Sequence, residues 1–137
     1  MDADRLASLP LFSDLAPDLR ARLAELAGEL ELPAGATVVT EGDFGLALFV
    51  IAEGTVAVSR GGAPIASLGP GDVIGEIAVL SSGRRIASVV ATSPLRLVAL
   101  LNRDVWRLER EAPEVVETLR GLVRRRTEET VGSDARA

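Results

Sequence analysis

Hydrophobic positions near the start of the chain follow a helical period. Residues three and four apart lie on one face of an α-helix, and Pro17 suits the first turn of such a helix. The pattern predicts that residues 3–30 are helical. Its apolar face is formed by leucines at spacings of four, four, three and four residues: Leu15, Leu19, Leu23, Leu26 and Leu30.

From Pro33 to Leu101 the pattern changes to short apolar runs separated by glycine- and proline-rich breaks. The breaks fall at residues 41–43, 53–54, 61–62, 69–71 and 93–94. Many short strands at this spacing are typical of a sandwich or a barrel. The predicted strands are Val38–Val39, Leu48–Ile51, Val56–Val58, Ile65–Leu68, a strand ending at Ile74, Ala87–Thr92 and Leu95–Leu101.

Helical patterning returns after Asn102, over residues 104–111 and then 114–130. Trp106 in the first of these helices is expected in the core, since large aromatic side chains mostly serve packing. The second helix carries one apolar stripe: Val115, Val116, Leu119, Leu122 and Val123. The stripe either packs back on the barrel or meets the same helix of a second copy, and the second alternative predicts a homodimer.

These elements predict a mainly β fold with flanking helices: a β-roll or jelly-roll barrel with an N-terminal helix and two C-terminal helices. The 137 residues are enough for one hydrophobic core. We therefore expect one domain over residues 1–130, with a helical part at 1–30, the β-roll at 31–101 and the C-terminal helices at 102–130. Residues 131–137 are expected to form a flexible tail.

The composition excludes several classes of protein. The chain contains no cysteine, histidine or lysine, which removes the usual metal ligands, the commonest general base and Schiff-base chemistry. Jelly-roll metalloenzymes such as cupins need several histidines, so we expect no catalytic residues, no metal and no cofactor. The net charge of -5 argues against nucleic acid as a partner. Since no membrane span or signal peptide is predicted, the expected location is cytoplasmic.

The segment from Gly69 to Val89 carries the candidate chemistry. Gly75 allows a turn and a close approach of backbone to a ligand, and a short helix is expected to follow it. The free N–H groups at that helix start, around Ile77 and Ala78, attract an anion. Arg85 supplies a forked guanidinium that matches two phosphate oxygens, and Glu76 is suited to accept hydrogen bonds from a ribose hydroxyl.

The motif Ile74-Gly75-Glu76-Ile77-Ala78, followed by Arg85 and Ala87, resembles the phosphate-binding cassette of the cyclic-nucleotide-binding domain family, of the catabolite activator and protein kinase A regulatory subunit type. The resemblance implies that Arg85 neutralises the cyclic phosphate and that Glu76 holds the ribose 2′-hydroxyl. It also implies that Gly75, Ala78 and Ala87 bring backbone close to the ligand. Further segments similar to the family are residues 9–12, 32–35, 41–43, 54–56 and 68–72.

Two positions decide the details of this site. Ile86 stands where the family usually has a small residue, and its lack of a hydroxyl disfavours cGMP and favours cAMP. A one-residue slip of the loop would exchange the roles of Arg84 and Arg85, but the alternation that places Ala87 in register favours Arg85. The predicted ligand-binding residues are Gly75, Glu76, Ile77, Ala78, Arg85, Ile86 and Ala87.

The resemblance implies a sensor without enzymatic activity, which binds a cyclic mononucleotide and regulates an unknown effector protein through its C-terminal helices. A lid over the base is expected from the last helix, with Leu122, Val123, Arg124 and Arg125 as candidates. No DNA-binding domain is expected, so the chain is interpreted as a stand-alone bacterial-type member. The alternative is a degenerate barrel, in which Ile86 crowds the pocket and the protein serves as an interaction or dimerisation module.

Overall fold

The computed structural model describes residues 1–13, 15–75 and 84–111, together with residues 113, 114, 117, 120 and 121. In the described residues, three helices precede eight strands, and a helix of ten residues begins after the last strand. The helices are α1 (Ala3–Ala7), α2 (Pro10–Ser13), α3 (Pro17–Leu26) and α4 (Asn102–Glu111). The strands are β1 (Gly28–Leu32), β2 (Thr37–Val39), β3 (Ala47–Glu53), β4 (Val56–Arg60), β5 (Ala63–Leu68), β6 (Val73–Ile74), β7 (Ser88–Ala91) and β8 (Leu95–Leu101).

The strands form two four-stranded antiparallel sheets. The first sheet has the order β1-β8-β3-β6 and the second the order β2-β7-β4-β5. The chain thus passes repeatedly from one sheet to the other, as in a jelly roll. The predicted fold class, a mainly β barrel with flanking helices, is confirmed, and each predicted strand overlaps one of β2 to β8.

The two central strands of the first sheet, β8 and β3, are covered on both faces. In β3, Leu48 and Val50 pack against the helices, while Phe49 and Ile51 face the core between the two sheets. The side chains of β8 divide between the same two cores. Successive residues of a strand point to opposite faces, so a strand that is covered on both sides needs an uninterrupted apolar run. Strand β3 has such a run over residues 47–52, and β8 has one over residues 97–101.

The prediction that residues 3–30 are helical is wrong at its end, where β1 begins at Gly28, and the part before it is divided among three helices. Pro10 and Pro17 each begin a separate short helix, because proline lacks the N–H that a continuing helix needs and is tolerated in a first turn. After α3 the backbone becomes extended at Ala27, with ψ of 141°. Strand β1 then pairs with β8 along its whole length, with Leu30 opposite Leu97. Leu30 is 40% exposed in this edge strand instead of lying on a helix face.

Helix α4 begins two residues earlier than predicted and is held to the start of β3. The Asn102 N–H donates to the Leu46 carbonyl at 3.0 Å, and the Asn102 Nδ2 donates to the Gly45 carbonyl at 2.7 Å. The first turn of α4 is therefore attached to the loop that precedes β3.

None of the described helices has the length and hydropathy needed to cross a bilayer.

Most of the second predicted C-terminal helix lies outside the described residues. Those that are described within it, residues 114, 117, 120 and 121, are helical, and Arg120 Nη1 donates to Glu109 Oε1 of α4 at 2.9 Å. The apolar stripe, the candidate lid residues and the tail at 131–137 are outside the described part of the chain.

The expectation that Trp106 belongs to the core is wrong, since its side chain is 43% exposed. Val105 and Leu108 are the buried residues of α4 and pack in the core beneath the helices. Adjacent residues of a helix point in different directions, so an inward Val105 turns Trp106 away from the centre of that face.

We expect Trp106→Ala to lower the free energy of unfolding by about 1 kcal/mol or less, because the ring leaves much of its surface in solvent. The matched control Leu108→Ala removes a buried side chain of the same helix and is expected to cost about 2–5 kcal/mol. Urea unfolding followed by circular dichroism measures both. Equal costs for the two variants would contradict the exposed position of Trp106.

Candidate functional site

Arg85 is a buried cation near the start of β7. Its side chain is 5% exposed, and Nη2 donates to the Ala47 carbonyl at 2.6 Å. Nη1 is buried and makes no hydrogen bond to any described residue. Burial lowers the pKa of the Arg85 guanidinium from its ordinary value, but arginine starts so far above neutrality that the group stays charged.

A buried guanidinium with an unpaired nitrogen is costly, because a charge removed from water needs compensating hydrogen bonds or an opposite charge. The ion pairs within the described residues involve other side chains than Arg85. The Phe49 ring lies near it, with its centroid 5.9 Å from Arg85 Cζ. The site is thus suited to an anionic group that completes the hydrogen bonding of Arg85.

Gly75 provides the space that this guanidinium occupies. It has a φ of 91°, which side chains other than glycine rarely adopt. A Cβ at this position would lie 1.8 Å from Arg85 Nη1 and 3.1 Å from the Ala47 carbonyl oxygen. The absence of a side chain at position 75 therefore allows the arginine to lie directly against the backbone.

The main chain of Arg85 is fixed by the loop between β2 and β3. The Arg85 N–H donates to the Asp43 carbonyl at 2.7 Å, and the Gly42 N–H donates to the Arg85 carbonyl at 2.9 Å. On the neighbouring residue, the Ile86 carbonyl accepts a hydrogen bond from Arg60 Nε at 3.1 Å. The segment that carries the arginine is held from two sides, by the β2–β3 loop and by β4.

A cavity of about 280 Å³ opens beside Arg85, between the two sheets. Its described walls are residues 37–40, Asp43, Phe44, Leu46, Ala47, Phe49 and Arg85 itself. This volume is near the lower end of the range for small-molecule sites, and the mixture of apolar walls with a few polar groups is typical of them. The arrangement is suited to binding a small ligand that carries an anionic group.

The structure describes four of the seven predicted site residues. Gly75 lies against the Arg85 guanidinium, and Arg85 lines the cavity. Ile86 is half-buried and does not belong to the described walls, and Ala87 is fully buried in the core between the sheets. Glu76, Ile77 and Ala78 lie outside the described residues.

Arg84 and Arg85 have different surroundings. The difference bears on the alternative register, in which a one-residue slip of the loop exchanges their roles. Arg84 is exposed, and its Nη1 donates to the Gly42 carbonyl at 2.7 Å. Arg85 points inward to the cavity wall. This difference supports the register that assigns the anion to Arg85.

Sequence reasoning missed the walls supplied by Phe44, Ala47 and Phe49. The sequence predicted a turn at residues 41–43 and placed Phe49 in a strand, but neither pattern indicated a cavity wall. Their position opposite Arg85 depends on contacts between residues 38 positions apart, such as the hydrogen bond from Arg85 to Ala47. A sequence pattern of local period contains no information on such pairing.

Comparisons with known proteins find similar sequences and similar folds. Residues 29–111 match the sequence model of the family described as "Cyclic nucleotide-binding domain". The chain is 37% identical over 125 residues to the "Cyclic AMP receptor protein" of Thermus thermophilus, covering 88% of this chain and 58% of that protein. It is 38% identical over 101 residues to a "cAMP-dependent protein kinase regulatory subunit" of Aspergillus niger, covering 72% of this chain and 24% of that protein.

Among solved structures, the fold is similar to a cyclic nucleotide-binding domain from Methylobacillus flagellatus. The TM-score is 0.75 at 26% identity, and the match covers 93% of this chain and 76% of that one. The chain spans little more than half of the Thermus protein and about a quarter of the Aspergillus protein. The likeness therefore concerns only part of those longer proteins.

Proposed function

Because this chain belongs to the cyclic nucleotide-binding domain family, we propose that it is a sensor that binds cAMP in the cavity beside Arg85. The observation that carries the proposal is the buried Arg85, whose Nη1 has no partner among the described residues. A cyclic phosphate would supply both the missing acceptor and the opposite charge. The small, largely apolar cavity is suited to the rest of a mononucleotide.

The remaining contacts follow the resemblance of the cassette. Glu76 accepts from the ribose 2′-hydroxyl, and the backbone of Gly75, Ile77 and Ala78 approaches the phosphate. Ile86, next to the arginine, offers no hydroxyl to the amino group of guanine, and this supports cAMP over cGMP. The names of the Thermus and Aspergillus relatives support the same choice, since both refer to cAMP.

The output of the sensor is proposed to pass to an effector protein through the C-terminal helices. Such regulation requires the ligand to bind one arrangement of those helices better than another. The homodimer stays a prediction, since the apolar stripe that would form the dimer contact lies outside the described residues. The cytoplasmic location also stays a prediction.

Calorimetric titration with cAMP is expected to give a saturable binding heat, and cAMP is expected to raise the melting temperature. At a free concentration 100 times Kd, a ligand that binds only the folded state adds about 2.7 kcal/mol to the free energy of unfolding. The controls are cGMP and a cyclic dinucleotide under the same conditions, and both are expected to bind more weakly. If no nucleotide gives heat or a thermal shift, the alternative of a barrel that serves protein–protein contact replaces the sensor. A clear preference for cGMP would contradict the role of Ile86.

A further inference from the structure

Arg84 and Phe44 form a contact on the outer side of the segment that carries Arg85. The Arg84 Cζ lies 4.2 Å from the centroid of the Phe44 ring, within the range of a cation–π interaction. The two residues are also paired as an isolated antiparallel β-bridge. Arg84 Nη1 adds a hydrogen bond to the Gly42 carbonyl at 2.7 Å.

This contact lies over the two main-chain hydrogen bonds of Arg85. Those bonds join Arg85 to Gly42 and Asp43, the residues immediately before Phe44. The loop at 42–44 and the segment at 84–85 are thus joined by their backbones and by the side chains of Arg84 and Phe44. The hydrogen bonds to Gly42 and Asp43 fix the backbone N–H and carbonyl of Arg85. The direction in which the Arg85 side chain leaves the main chain therefore depends on this junction.

Phe44 contributes little to the hydrophobic core. It is 67% exposed and belongs to neither buried cluster of the described residues. Its described interactions are instead with Arg84 and with the cavity, of which it forms part of the wall. An exposed ring in this place is explained by its contact with the guanidinium better than by packing.

We propose that Arg84 and Phe44 form a clasp that positions Arg85 for the anion, and that Arg84 is not itself a phosphate ligand. The guanidinium of Arg84 is already occupied by the Phe44 ring and the Gly42 carbonyl. The effect of the clasp on cAMP affinity rests on the proposed function. Its effect on the backbone of Arg85 does not depend on whether the protein binds cAMP.

Affinity for cAMP tests the clasp in the full chain. Arg84→Ala and Phe44→Leu are each expected to weaken binding about two- to fivefold, the range set by an exposed cation–π contact. Phe44→Tyr keeps an aromatic face over Arg84 and is expected to bind cAMP more tightly than Phe44→Leu. The double variant is expected to bind no more weakly than Arg84→Ala, which already removes the contact with Phe44 together with the hydrogen bond to Gly42. The control Arg22→Ala removes an arginine that pairs with Glu111 away from the cavity and is expected to bind as wild type.

Ionic strength distinguishes positioning from direct contact. If Arg84 only positions Arg85, the affinity of Arg84→Ala falls with added salt as steeply as that of the wild type. A shallower dependence would show that Arg84 itself meets the phosphate charge, and would overturn the proposal.

Amide hydrogen exchange without ligand separates the clasp from the proposed function. The Arg85 N–H, which donates to Asp43, is expected to exchange about two- to fivefold faster in Arg84→Ala and Phe44→Leu. Wild-type exchange in both variants overturns the clasp even if cAMP binds. Faster exchange in a protein that binds no cAMP supports the clasp and rejects only the sensor.

Discussion

Arg85→Ala is expected to weaken cAMP binding at least ten- to a hundredfold. A hydrogen bond to a charged group contributes about 1.5–3 kcal/mol, and each 1.4 kcal/mol corresponds to a factor of ten in affinity. Nη1 is the buried donor without a described partner, so its loss removes the group that the ligand would complete. Isothermal titration of the variant beside the wild type measures the effect.

A second variant keeps this result separate from a loss of folding. Arg85→Met keeps a long apolar side chain against Phe49 but removes the charge, and it should also lose cAMP affinity. Its free energy of unfolding should stay within about 1 kcal/mol of the wild type, since the lost bond to Ala47 is offset by removal of an incompletely paired buried charge. If cAMP binds Arg85→Ala as tightly as wild type, the assignment of Arg85 is wrong. If Arg84→Ala costs more affinity than Arg85→Ala, the one-residue slip is the correct register.

Gly75→Ala is expected to damage both stability and binding. A residue held at an unfavourable φ costs about 1–3 kcal/mol, and here the new Cβ would also lie 1.8 Å from Arg85 Nη1. The guanidinium must move away, so affinity for cAMP should fall about as far as in Arg85→Ala. Chemical denaturation and titration measure the two effects.

Gly35 offers a matched control for the backbone part of this cost. Its φ of 88° is close to that of Gly75, but nothing lies within 4 Å of its Cβ position. Gly35→Ala should therefore cost stability without affecting cAMP binding. Wild-type affinity in Gly75→Ala would contradict the contact between position 75 and the arginine. The double variant Gly75→Ala/Arg85→Ala has no guanidinium for the new Cβ to meet. Its loss of unfolding free energy should therefore be smaller than the sum of the losses in the two single variants.

The strands were predictable because the turns between them are marked by glycine, proline and acidic residues. Strand β1 was not, although Glu29, Leu30, Glu31 and Leu32 alternate as strand residues do. Leu30 is spaced four residues from Leu26 and two from Leu32, so it fits the helical and the strand period equally. Pairing with β8 decides between them, and such pairing is a tertiary interaction that overrides local pattern.

The candidate site divides in a similar way. Gly75 and Arg85 were found from a local motif, because the close approach of backbone to an anion restricts residue type within a short segment. The cavity walls at Phe44 and Ala47 were not found, since they meet Arg85 only through the folding of β3 against the second sheet. Trp106 was placed in the core from its size alone, whereas the packing of Val105 and Leu108 determines which face of α4 is inward.

The attachment of Asn102 to Gly45 and Leu46 gives the cavity a mechanical link to the C-terminal region. These two carbonyls lie between Phe44 and Ala47, which are both cavity walls. The backbone that surrounds the ligand site is therefore the same backbone on which the first turn of α4 is seated. A displacement of that loop would therefore also displace the two carbonyls that hold the first turn of α4.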